Sequence, residues 1–74
     1  MLSFEIAREG KAVQIFCDDQ GIDTLVTILQ KLRGSGSHVH LWAPSFGMPS
    51  PELSDESPFG TKALAEVIIT HGGD

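Results

Sequence analysis

His38 and His40 stand two residues apart in the segment HVHLWA (38–43). Alternation along an extended chain puts both imidazoles and Trp42 on one side of a strand. Histidines at i, i+2 are a spacing that zinc proteins use, but a complete site needs more ligands. Glu66, Asp55, His71 or Cys17 would have to converge, and no CxxC or HExxH motif supplies the missing half. A metal-binding module through His38 and His40 is therefore an alternative, ranked below hydrogen-bonding or pH-dependent roles for strand histidines. Nucleophilic chemistry has less support. Ser45, Ser50, Ser54 and Ser57 are scattered among prolines, with no GxSxG elbow. The acid pairs Asp18–Asp19 and Asp55–Glu56 read as cap and loop residues, and Gly34-Ser35-Gly36 precedes a strand, unlike a phosphate loop before a helix. No enzyme, no cofactor and no resident metal are expected.

The elements that would position these residues can be read from periodicity. Leu2, Phe4 and Ile6 alternate with Ser3, Glu5 and Ala7, the pattern of a half-buried strand. Glu9-Gly10-Lys11 reads as a hairpin turn into a second strand over 12–17, with Val13, Ile15 and Cys17 on one side and Phe16 on the other. Then the period changes. Ile22, Leu25, Leu29 and Leu32, widened by Val26 and Ile28, predict a helix over about 20–33. Asp18 or Asp19 can cap it, Asp23 adds to the acidic start, Lys31 and Arg33 suit its end, and Gly34 suits the position just beyond.

After the connector Gly34–Ser37 come the histidine strand and a loop over 44–60 that holds all four prolines, Pro44, Pro49, Pro51 and Pro58. Residues 63–70 (ALAEVIIT) predict a last strand, with a helix over 61–68 as the alternative, and 71–74 a frayed tail. The expectation is one α+β domain over 1–74, ordered ββαββ. It has a small, mostly antiparallel sheet of about four strands, one helix packed on one face, and a long Pro-rich loop. Val13, Ile15, Val39, Leu41 and Val67 are expected under the helix, against Leu25, Leu29 and Leu32. Phe16, His40, Trp42, Glu66 and Ile68 fall on the far face. That is too much apolar surface to leave in water. The loop can fold back with Phe46, Met48 and Phe59, a second copy can pair, or another protein can cover it.

Composition narrows the partner. Ten acids against five Lys plus Arg give a net charge of −5, which argues against nucleic acid and leaves basic proteins open. No apolar run reaches membrane length, and MLSFEIAREG lacks a signal-peptide pattern. Cys17 is the only cysteine, so a reduced, cytoplasmic setting is expected. Asp18, Asp19 and Asp23 are explained by the helix dipole. Glu52, Asp55 and Glu56 instead lie beside Leu53 and Phe59, the pattern of a surface that engages a basic partner.

CDDQG leading into an amphipathic helix, followed by GSHVHLWAPSFG and ELSD, resembles the bacterial immunity protein 32 family of polymorphic toxin systems. The matching positions are Cys17, Asp18, Gly21, Gly36, His38, His40, Leu41, Pro44, Phe46, Gly47, Glu52, Leu53 and Ser54, spread across about residues 13–55. Phe46 stands where the family tends to have Trp, and Met48-Pro49-Ser50-Pro51 lengthens the turn before ELS. Both departures fall in the segment that would choose a partner. The resemblance implies a cytoplasmic protein that binds and occludes a cognate toxin. His40, Trp42, Phe46, Glu52, Leu53 and Asp55 are the expected contacts. A homo-oligomer, with a homodimer as its simplest form, is the alternative.

Overall fold

The computed structural model describes residues 1–35, 37–60 and 62–72. Gly36, the Thr61 start of the helical alternative, and Gly73-Asp74 of the expected tail lie outside the described residues. The order is ββαββ: β1 (Leu2–Ala7), β2 (Ala12–Cys17), α1 (Asp19–Ser35), β3 (His38–Trp42) and β4 (Glu66–Thr70), with a 3₁₀ turn at Pro44–Phe46. This is an α+β fold. Its strands form two antiparallel pairs, β1–β2 and β3–β4, where the sequence suggests one sheet of about four.

The first hairpin pairs Leu2 with Cys17, Phe4 with Ile15 and Ile6 with Val13, closing on a turn in which Lys11 N–H donates to the Arg8 carbonyl at 3.0 Å. Gly10 takes φ +85° there, and Arg8 and Glu9 are also left-handed at 53° and 56°. The second pairs His38 with Thr70, His40 with Ile68 and Trp42 with Glu66.

Main chain from the segment after β3 lies between the two pairs. Ser54 N–H donates to the Leu2 carbonyl at 2.8 Å, Leu64 N–H to that of Phe4 at 2.7 Å, and Leu53 N–H to that of Trp42 at 3.0 Å. Ala43 N–H donates to the Ala65 carbonyl at 2.8 Å. Residues 63–65, expected in the last strand, are thus used to bridge to β1 and residue 43, and β4 begins only at Glu66. His71, placed in the expected tail, donates its N–H to the Ser37 carbonyl at 2.8 Å.

The helix starts where its cap chemistry dictates. Asp18 Oδ1 accepts the Gly21 N–H at 2.8 Å and also pairs with the Met1 α-ammonium at 2.5 Å. The ammonium first, and the Gly21 N–H second, hold the Asp18 carboxyl below the usual carboxylate range. Gly34, expected just past the end, lies inside the helix.

Leu2, Phe4, Leu41, Ala43 and Leu53 form the core, with Leu25, Ile28, Val39, Val67 and Ile69 packed against it. Several expected core positions lie outside it. Val13, Ile15, Ile22 and Leu29 are all exposed. Gly21 supplies the reason for the helix positions. A Cβ there would sit 2.1 Å from the Met1 carbonyl oxygen, so the helix lies against the chain at β1 along this glycine. The inward line then runs Gly21, Leu25, Ile28, Leu32, and turns Ile22 and Leu29 outward. Val13 and Ile15 are exposed because β2 is the outer strand, one removed from the core that β1 shares with β3.

Gly21→Ala should therefore destabilise the fold by about 2 kcal/mol, overpacking outweighing the gain of about 1 kcal/mol in helix propensity. Gly34→Ala, where a Cβ meets nothing within 4 Å, should be neutral or stabilising by up to about 1 kcal/mol. Urea titrations of the two variants distinguish a required close approach from a mere helix-propensity effect: equal responses would remove the packing argument.

Candidate functional site

The outer side of β3 carries a row of rings. His38, His40 and Trp42 project from alternate residues of the strand, and Phe46 continues the row from the 3₁₀ turn. His38 and His40 meet edge to face at 5.1 Å, His40 and Trp42 stack at 5.6 Å and 15°, and Trp42 and Phe46 stack at 5.9 Å and 30°. His40 and Trp42 are half-buried and Phe46 is 47% exposed. Such a row presents flat, amphipathic surface whose side chains have already lost much of their rotational freedom.

The acids hold this row in place. Glu66 faces Trp42 across the strand pair, and its Oε2 lies 2.9 Å from His40 Nδ1 and accepts the Trp42 indole N–H at 2.9 Å. The hydrogen bond with His40 is the main reason the Glu66 carboxyl lies below the ordinary glutamate range. Partial burial opposes it, and Trp42 adds to the lowering. Glu52 Oε1 accepts the Trp42 backbone N–H at 3.2 Å, while Leu53 bonds the Trp42 carbonyl. Asp55 accepts both the Ser45 N–H at 2.9 Å and the Ser45 hydroxyl at 2.5 Å. That clamps the turn that carries Phe46.

The six residues expected to meet a partner therefore divide. His40, Trp42 and Phe46 form one partly exposed surface. Glu52 and Asp55 brace it through hydrogen bonds within the protein, with Asp55 itself exposed. Leu53 is corrected outright: at 4% exposure it belongs to the core and has no surface to offer. The segment between β3 and β4 covers the fold with Leu53 and Ala63, while Phe46, Met48 and Phe59 stay exposed. Phe59 makes an edge contact with Phe16 at 6.3 Å.

Sequence reasoning placed Glu66 on the far face without its role. Its signal was present, as the lone charge in ALAEVIIT, but pairing with His40 and Trp42 depends on a strand register that the sequence does not state. Alternation sets Glu5 on the polar side of β1, with Ser3 and Ala7. It is buried at 2%, and its Oε2 accepts the Ser57 hydroxyl, because the loop covers the second face of β1.

Among the described residues no three His, Cys, Asp or Glu side chains group as a metal site, and no helix is long and apolar enough to cross a membrane. Two grooves, of about 380 and 420 Å³, lie between α1 and the loop around Gln20, Thr24 and Glu52, away from the rings.

Because the Glu66 pKa is lowered in the folded protein, the unfolded chain binds the proton at higher pH. The contribution of Glu66 is complete above the unfolded value and is lost as pH falls through the folded one, which lies below the ordinary 4.5. Urea midpoints should fall more steeply on acidification in the wild type than in Glu66→Gln, with Trp42 fluorescence as the probe. Parallel curves would mean that Glu66 does not hold the rings. No protein-family model matches this chain, and neither a curated protein nor a solved structure matches it.

Proposed function

We propose that the protein is a non-enzymatic binder that neutralises a cognate bacterial toxin by direct occlusion, in the manner of the immunity protein 32 family its motifs resemble. The observation that carries this reading is the braced ring row of His40, Trp42 and Phe46. Stacked rings on a strand, fixed by Glu66 and Asp55, bury large area on contact at little further entropic cost. Ile68 lies opposite His40 in the strand pair and is 55% exposed, extending the same surface with an aliphatic edge.

The net charge of −5 favours a basic partner through long-range attraction. The loop acids enter this reading differently from the sequence expectation. Glu52 and Asp55 shape the surface and lend it negative potential, while the rings make the contact. A cytoplasmic location follows from the same proposal, since the toxin must be met where it would harm its producer.

Co-expression with the toxin encoded by a neighbouring gene should restore growth and yield a stoichiometric complex on gel filtration. Trp42→Ala should weaken that complex at least about 30-fold, the effect of losing an interface anchor worth about 2 kcal/mol. Circular dichroism would check that the variant remains folded. Unabated killing with no complex formed by the wild type would overturn the proposal.

A further inference from the structure

The helix has two apolar lines, and the core takes only one. Ile22, Val26 and Leu29 remain 46%, 46% and 44% exposed beside the buried line of Leu25, Ile28 and Leu32. At about 100° per residue the exposed line sits about a quarter-turn around the helix from the buried one. The opposite flank is identified by its neighbours: Gln20, Thr24, Thr27 and Lys31 line the grooves with Pro51 and Glu52 of the loop. Ile22, Val26 and Leu29 thus lie on the flank away from the loop, toward β2. There the register sets Ile6 with Val13, and Ile15 with Phe4, on the helix side of the hairpin. Ile6, Val13 and Ile15 are also about half exposed.

Beside this patch lies an open strand edge. Among the described residues β2 pairs only with β1. Its sequence, AVQIFC, contains no charge and no proline, and its register runs without a bulge. These are the devices that normally keep an edge from pairing.

We propose that this edge and the aliphatic flank form a homodimer interface, with β2 pairing antiparallel to β2 of a second copy about a two-fold axis. The arrangement makes one four-stranded sheet from two marginal hairpins. Two copies of a chain with net charge −5 repel unless the contact is neutral or matched. β2 is neutral, and its flanks are opposite in net sign: Arg8, Glu9 and Lys11 precede it with net +1, while Asp18, already paired with the Met1 ammonium, and Asp19 follow it. Antiparallel pairing centred on Ile15, whose main-chain groups face the open edge because its partner Phe4 turns its carbonyl to Leu64, sets Lys11 of each copy opposite Asp19 of the other, twice. Parallel pairing would set like against like. The six half-exposed aliphatic residues offer on the order of 500 Å² per copy, or about 1,000 Å² across the two-fold, the area at which specific interfaces begin.

Sedimentation of the full chain from micromolar to millimolar concentration tests this. Its mass should rise from 8.0 kDa toward twice that value. Ile15→Lys on the strand and Val26→Glu on the helix should each weaken association about tenfold or more. Both positions are exposed, and far-UV circular dichroism checks folding. Should one variant fail to fold, the other carries the test from a different element. Ile68→Lys, on the second strand pair, should leave association unchanged. Lys11→Glu should weaken it, and adding Asp19→Lys should restore part of the loss. A monomer across the whole range, a dimer that survives Ile15→Lys, or one lost on Ile68→Lys would overturn the proposal. So would capture of an extended peptide on β2 by a chain that never self-associates.

Discussion

The fold depends on main-chain hydrogen bonds from the segment between β3 and β4. Each strand pair alone is a two-stranded ribbon, which is marginal in water. The carbonyls of Leu2, Phe4 and Trp42 would face solvent or lie unpaired beneath side chains. Leu53, Ser54 and Leu64 supply their donors instead. Each bond contributes only about 1 kcal/mol net, but leaving a buried carbonyl unmet costs about 1–3 kcal/mol. The same segment buries Leu53, so polar satisfaction and core closure come from adjacent residues. Proline is compatible with this role, because the segment pairs at selected residues rather than along a continuous ladder.

That arrangement also positions the ring surface. Leu53 binds the Trp42 carbonyl and Glu52 binds its N–H, so Trp42 is held from the loop side. Glu66 holds its indole from the strand side. Asp55 fixes Ser45 and hence the turn bearing Phe46. Three carboxylates therefore hold the ring row while remaining partly open to solvent. A surface so braced changes little on binding, which favours affinity at small area.

Much of this could be read in the sequence, because local period and cap chemistry are local properties. The ββαββ order, the helix with Asp18 or Asp19 as its cap, and the side of β3 that bears His40 and Trp42 all follow from patterns within a dozen residues. The parts that could not be read are set by contacts distant in sequence. Ile22 and Leu29 fit a helical stripe as well as Ile28 does, and only the approach of Gly21 to the Met1 carbonyl selects between them. Leu53 looked like an exposed anchor among acids because its burial depends on reaching β1 and β3. Glu5 fits the alternation as a polar residue, yet alternation assumes one dry face, and both faces of β1 are buried over Leu2–Glu5.

Gly21 and β2 are linked by this geometry. Seating the helix on Gly21 turns one of its apolar lines away from the core, toward the strand whose edge is open. A helix rotated to bury Ile22 and Leu29 would carry Gly21 away from Met1 and withdraw Ile28, which packs against the core. The close approach that stabilises one hairpin thus creates the aliphatic flank beside it. At this chain length the core has room for one line of helix side chains, and the second line is surplus to it. The surplus is composed of large aliphatic residues rather than the polar ones solvent would favour, and it adjoins a strand without a charge. In the proposed dimer a second copy would bring the same pair to each, and this would join helix seating to assembly.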